Sequence, residues 1–188
     1  VTLGEIDPAP WQRQPSFQKN PLLWAAEMGP RWENTVLMRH QAYHAETIPK
    51  LEAAIEAMPH NQMKIEGHER VGIIGSGMAY QAAVEAITQL DAHSEVATLK
   101  LCAANPLPRS KVETMLRSLE SVLVVEEIEP VIETFVRDLS ADLDRHAKIL
   151  GKKTKHLPAT DEMSAAHVAQ PLAELLGKSF EPLMSQQR

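Results

Sequence analysis

Four short stretches of the 188-residue chain carry residues whose type and spacing could do chemistry. The first is Gly75-Ser76-Gly77 ahead of Met78, where an apolar run meets a segment of helical period. Glycines permit a sharp turn there, and the first turn of a helix offers free N–H groups and a partial positive charge to an anion. Tyr80 stands where a dinucleotide fingerprint needs its third glycine, and no acidic residue closes the second apolar run, which ends Leu101-Cys102. Nicotinamide and flavin binding are therefore disfavoured. The turn is either a site for a phosphate or a neighbouring chain's carboxylate, or a plain strand-to-helix connection. The second stretch is Asn105-Pro106-Leu107-Pro108-Arg109, whose arginine could pair with an anion and whose prolines equally make a stiff connector. The third is Glu126-Glu127. Paired carboxylates can raise one pKa and serve as acid or base, but neighbours on an extended chain point oppositely, so a charged strand end before a helix competes with that reading. The fourth is His40 with His44, spaced to share one helix face; without a third ligand or a zinc-protease Glu they read as solvated surface. Ser76, Ser110 and Cys102 are nucleophile types, yet no nucleophile elbow or cysteine signature surrounds them. These residues alone make no complete active site.

The elements that must position them follow from apolar periodicity. Val71–Gly75, Val96–Leu101, Val122–Val125 and a weaker Ala147–Leu150 read as strands, with starts about 25 residues apart, the pitch of a strand, a helix and two loops. Between them lie amphipathic segments: Ala79, Ala83, Ala86, Ile87 and Leu90; then Val112, Met115, Leu116 and Leu119; then Ile132, Phe135, Val136 and Leu139. Ser110 with Glu113 spells a capping box, and Pro130 suits the first turn of the third helix. Thr160, Asp161 and Glu162 should start a last helix, which Pro171 should break or kink and Gly177 should end. Strands that are apolar almost throughout, alternating with helices, predict an α/β fold. Its sheet is mainly parallel, with helices on both faces and right-handed crossovers.

Four regions are expected. Residues 1–33 hold five prolines and Trp11, Trp24 and Trp32, a composition that forms no regular element and reads as a wrapping arm whose rings pack on something. Residues 34–69 form a helical linker, with Pro49 kinking or restarting it. Residues 70–176 form the α/β domain, and 177–188 a frayed tail. With 25 acidic against 19 basic residues, a net charge of −6 and no Lys/Arg run, the chain has no electrostatic footprint for nucleic acid or anionic lipid. One cysteine excludes a disulfide framework, a cysteine-type zinc site and an iron–sulfur cluster within the chain. No apolar run approaches the roughly 20 residues that span a bilayer, and no signal peptide opens the chain, so a cytoplasmic location is expected.

Three strings taken together are more specific than any one of them: Val71-Gly-Ile-Ile-Gly-Ser-Gly-Met-Ala-Tyr-Gln81; Leu99-Lys-Leu101 with Pro106-Leu-Pro108; and Val124-Val-Glu-Glu-Ile-Glu-Pro130 with Glu133. In that order and spacing they resemble the middle of the indolepyruvate:ferredoxin oxidoreductase alpha-subunit family, among the thiamine-diphosphate 2-oxoacid:ferredoxin oxidoreductases. His44–Asn61, Gly151-Lys152, Leu157-Pro158 and Glu162-Met163 fit the same pattern, so the resemblance covers roughly residues 40–170. Asp161 departs from it, since related sequences tend to have Gly before that Glu. The resemblance implies a domain similar to the C-terminal domain of transketolases. It also implies a whole enzyme that oxidatively decarboxylates an aryl pyruvate with coenzyme A and reduces ferredoxin. Thiamine diphosphate, Mg and iron–sulfur clusters are implied for that enzyme, held by other segments, and other domains of the subunit and a partner subunit are the implied partners. No Gly-Asp-Gly and no cysteine pair occur here, so no catalytic residue is carried over. The expected site residues are an anion-ready turn, Gly75, Ser76, Gly77 and Met78, and an interface set, Trp11, Trp24, Trp32, Arg109, Glu126 and Glu127. The missing cofactor motifs, absent initial Met and Pro-rich start fit an excised or naturally split middle domain, inactive alone. The alternative is a stand-alone phosphate- or nucleotide-binding module.

Overall fold

A computed structural model of the chain describes residues 32–144 and 146–181. The described residues fall into two units, divided between Ile48 and Pro49. In the first, helix α1 (Trp32–Ala42) runs into a π-helical turn, Tyr43–Thr47. There the rings of His40 and His44 lie 4.5 Å apart, with Tyr43 edge-on to His44.

The second unit takes in most of α2 (Ile48–Ala57) and then five strands: β1 (Gln62–Lys64), β2 (Val71–Ser76), β3 (Val96–Leu101), β4 (Ser121–Val125) and β5 (Lys148–Leu150). Helices α3 (Gly77–Gln89), α4 (Arg109–Ser118) and α5 (Val131–Ala141) connect the last four, and α6 (Ala165–Leu176) follows β5. The sheet order is β1-β3-β2-β4-β5, parallel except for β1, which runs antiparallel to β3. Ile74 of β2 pairs with Leu99 on one side and Val124 on the other, so β2 is the centre of the sheet.

Alternation along the strands builds two cores. Ile73, Leu123 and Leu150 face α3 and α6, packing with Ala83, Ala86, Val168 and Leu172. Ile74, Leu99, Val122 and Val124 face α4 and α5, packing with Val112, Leu116, Ile132 and Val136. Both faces are covered, which is why these strands are continuously apolar. The α/β fold with a mainly parallel sheet and helices on both faces is thus the one observed.

The structure departs from the sequence reading at several places. The segment 34–69 is not one linker: residues from Pro49 belong to the α/β unit, and β1 adds an edge strand ahead of Arg70. Three polar-flanked residues carry too little periodicity to reveal that strand; its backbone pairing with β3 makes it. The Ser110–Glu113 capping box does not form. Pro108 occupies the N-cap with no side-chain bond. Glu56, reaching from α2, accepts the Ser110 N–H at 3.1 Å and its hydroxyl, while Glu113 turns to Arg109 at 2.6 Å. The last helix starts at Ala165, later than Thr160, because Ser164 supplies the cap, accepting the His167 N–H at 3.3 Å. Pro171 lies inside this helix without ending it. The lost bond and ring clash cost about 3 kcal/mol, which burial of Val168, Ala169, Leu172 and Ala173 against α3 offsets. Gly177 ends it, with φ +67°.

Candidate functional site

The chain leaves β2 for β3 on one side and then crosses to β4 on the other. The carboxyl ends of β2 and β4 therefore flank the point where strand order reverses, where open α/β sheets form a crevice. A crevice of about 350 Å³ lies there. Ser76, Gly77 and Met78 after β2 line it together with Glu126, Glu127, Ile128, Glu129, Val131 and Ile132 after β4, and Ala104 also borders it. The expected anion-ready turn and the carboxylate pair are thus brought to one place. Gly77 has φ +55°, a backbone conformation that suits glycine, and no atom lies within 4 Å of where a Cβ would be.

The carboxylates of this crevice are already engaged. Glu126, only 3% exposed, accepts the N–H groups of Ile132 at 2.6 Å and Glu133 at 2.9 Å. It is the anion that the N-terminus of α5 binds. Burial pushes its carboxyl above the ordinary value and the nearby Glu133 adds to the rise, while the backbone N–H groups pull the other way. Glu127 faces away from that contact and accepts the Met163 N–H at 3.2 Å. The two are therefore separate fasteners and not an acid–base dyad. Ile128, at φ +53°, follows them, and its carbonyl accepts the Lys152 ammonium at 2.7 Å. Lys152 is itself buried.

One turn into α5, fully buried Glu133 takes two N–H bonds from Arg137, at 3.0 and 2.8 Å, and the Lys153 N–H at 2.9 Å. Arg137 also donates to the Ile149 carbonyl of β5 at 2.8 Å. The third family-like string and the Gly151-Lys152 and Met163 segments thus form one network. It ties β4, α5, the loop after β5 and the approach to α6. Arg137 was not singled out in the sequence, and Lys152 entered only as part of the Gly151-Lys152 string. The available signal was the Glu133–Arg137 spacing of four with Glu133 between apolar Ile132 and Val136, a charged pair placed on a buried face.

Arg109 lies elsewhere. It pairs with Glu113 at 2.6 Å and Asp142 at 3.3 Å and lines a separate groove of about 590 Å³ between α2, the 105–109 loop and α5. Near that groove Asn61, 2% exposed, was missed as well: its amide donates to the Ile55 carbonyl at 2.8 Å and accepts the Cys102 N–H at 2.9 Å. Cys102 is exposed, with its sulfur 3.0 Å from that of Met58, and Ser110 is held by Glu56. Trp11 and Trp24 lie outside the described residues, as does the side chain of Trp32.

The chain's single cysteine is too few for an iron–sulfur cluster. Among the described residues no three His, Cys, Asp or Glu side chains come together to hold a metal. The crevice lining has three glutamates and no Lys or Arg to meet a diphosphate. These residues do not fit thiamine diphosphate with its metal, nor a cluster. Among the described residues no helix is long and apolar enough to cross a membrane.

An open, mainly parallel sheet with both faces covered and a crevice at its switch point defines a doubly wound α/β domain. The fold is similar to that of a 2-oxoglutarate:ferredoxin oxidoreductase from Magnetococcus marinus, with TM-score 0.54 and 17% identity over 72% of this chain and 23% of that one. It is similar also to a split-gene transketolase described as an inactive beta4 tetramer, with TM-score 0.50 and 16% identity over 64% of this chain and 43% of that one. Residues 61–183 match the model of the indolepyruvate oxidoreductase domain, and the chain belongs to that family. Among curated relatives, the indolepyruvate oxidoreductase subunit IorA of Pyrococcus abyssi is 33% identical over 132 residues, 70% of this chain and 20% of that protein. The IorA subunit of Archaeoglobus fulgidus is 33% identical over 112 residues, 60% of this chain and 17% of that protein. The chain spans about a fifth of the length of the relatives it matches.

Proposed function

We propose that this chain serves as the transketolase-C-terminal-like domain of an IorA-type subunit, in an enzyme that oxidatively decarboxylates indolepyruvate or a related aryl pyruvate. Such an enzyme combines the 2-oxoacid with coenzyme A, releases carbon dioxide, and passes two electrons to ferredoxin, yielding an acyl-CoA. Thiamine diphosphate, magnesium and iron–sulfur clusters are supplied by other segments of that enzyme and by a partner subunit. The part played by these 188 residues is structural: a rigid α/β layer that other domains pack on. One observation carries this reading. The charged groups gathered at the carboxyl edge, Glu126, Glu127, Lys152 and Glu133, hold backbone groups of the chain itself, as fasteners of a structural domain do. The family membership supplies the enzyme class.

The experiment is reduction of a viologen dye by the complete enzyme containing this chain, with coenzyme A and a panel of 2-oxoacids. Indolepyruvate and phenylpyruvate are expected to be oxidised well ahead of 2-oxoglutarate and pyruvate. A preference for the small or dicarboxylic acids contradicts the aryl-pyruvate assignment.

A further inference from the structure

Three large apolar side chains stand in solvent around the switch-point crevice: Met78 is 72% exposed, Ile128 76% and Val131 45%. In the described part of the α/β unit, Leu51 and Met63 are the other large apolar residues so exposed, and neither borders this crevice. Single exposed apolar residues are ordinary, but three converging on one crevice mark a contact surface. The backbone adds an independent sign. Ile128 is β-branched and sits at φ +53°, a conformation such residues rarely adopt and one that persists only where surrounding contacts impose it. Those contacts are present: Lys152 holds the Ile128 carbonyl, Glu126 anchors the loop to α5, and Glu127 anchors it to Met163. The loop is fixed in a strained form that keeps a large apolar side chain in water.

We infer that Met78, Ile128 and Val131 form a docking crest for an apolar surface bordered by Lys or Arg, carried by a further domain of the same subunit. Charge chooses the occupant. Glu127 and exposed Glu129 flank the crest, and the lining of the crevice contains no basic residue. A second copy of the chain would bring carboxylates against carboxylates, within a chain already at −6. A surface with a basic border meets them favourably. The relatives are about five times as long as the matched region, which gives that surface a source. The inference rests on the proposed function, in which such further domains exist.

The test places the photoreactive residue p-benzoylphenylalanine at Ile128 of the complete enzyme, with Met63 on β1 as the control position and Met78 as a second crest position. Ultraviolet light is expected to join positions 128 and 78, but not 63, to a peptide of the same subunit from outside these 188 residues, at an apolar residue with Lys or Arg close by. Joining to a second copy of the crest, to a partner subunit or to residues 1–31 of this chain, equal joining from position 63, or no joining from either crest position overturns the inference. Viologen reduction by the unmodified enzyme is read separately. Loss of turnover there counts against the proposed function, while the cross-link still decides the docking crest.

Discussion

A β-carbon on Gly151 would lie 2.6 Å from Oε2 of Glu133, so the glycine after β5 and the buried carboxylate of α5 share one closed space. The carboxylate fills it because Arg137 and the Lys153 N–H converge on the same group. Gly151→Ala is expected to lower stability by about 1–3 kcal/mol through overpacking. Glu133→Ala, which leaves the guanidinium and the N–H facing an empty site, should cost about 3 kcal/mol. The double variant should cost less than the sum, since removing the carboxylate makes room for the methyl group. Urea unfolding of the three variants measures this; strict additivity would show that the two residues do not share the space.

Asn61 joins the end of α2 to the end of β3 through the Ile55 carbonyl and the Cys102 N–H, and Lys111 donates to its own carbonyl at 2.7 Å. Asn61→Leu removes both side-chain bonds and takes the partner from the Cys102 N–H, while the Ile55 carbonyl keeps the Met58 N–H at 3.2 Å. A loss of about 2 kcal/mol is expected. Because the bonds close α2 onto the sheet, amide exchange should accelerate in residues 49–57 before it does in β2. Unchanged exchange in α2 would remove Asn61 from this role.

The strands and the apolar faces of α3, α4 and α5 were legible because burial on both sides leaves an unmistakable pattern: continuous apolar runs separated by helical periods. What escaped was of two kinds. β1 consists of Gln62, Met63 and Lys64, and nothing in three such residues announces a strand; only the neighbouring β3 edge does. The caps were misplaced for a related reason. Ser110 spells a local capping box, but its actual partner is Glu56, 54 residues earlier, and a long-range carboxylate leaves no local pattern. The crevice was legible in part. Gly75–Met78 and Glu126-Glu127 were each singled out, yet their meeting depends on sheet order. Arg109 reads as equally placed at the carboxyl edge and faces a different groove, bound to Glu113 and Asp142.

Glu126 gives a pH dependence of definite sign. Burial, the largest influence, raises its carboxyl above the ordinary value. A folded value above the unfolded one means that folding favours the protonated form. That contribution is fully present below the ordinary value of about 4.3 and is lost as pH rises through the raised value. The stability of the native chain relative to Glu126→Gln should therefore decline with rising pH across that window and then level off. Urea unfolding of both proteins from pH 3.5 to 8 tests it. A difference that grows with pH contradicts the assigned direction.

The turn at Gly77 separates two readings of the crevice. Space for a methyl group is open, so Gly77→Ala should cost only the strain of a positive φ, about 1 kcal/mol. The glutamates lining the crevice argue against an anionic ligand there. Millimolar inorganic phosphate or coenzyme A should leave the melting temperature of the chain unchanged. A rise with either ligand that Gly77→Ala removes would favour the phosphate-binding module instead.

We propose that this chain is a structural domain of a 2-oxoacid:ferredoxin oxidoreductase and does no redox chemistry by itself. The most direct test is viologen reduction driven by indolepyruvate and coenzyme A, measured on the purified 188-residue chain and on the complete enzyme that contains it. No turnover above background is expected from the chain supplied with thiamine diphosphate and magnesium, and ready turnover from the complete enzyme. Reduction by the chain alone, or none by the complete enzyme, would contradict it.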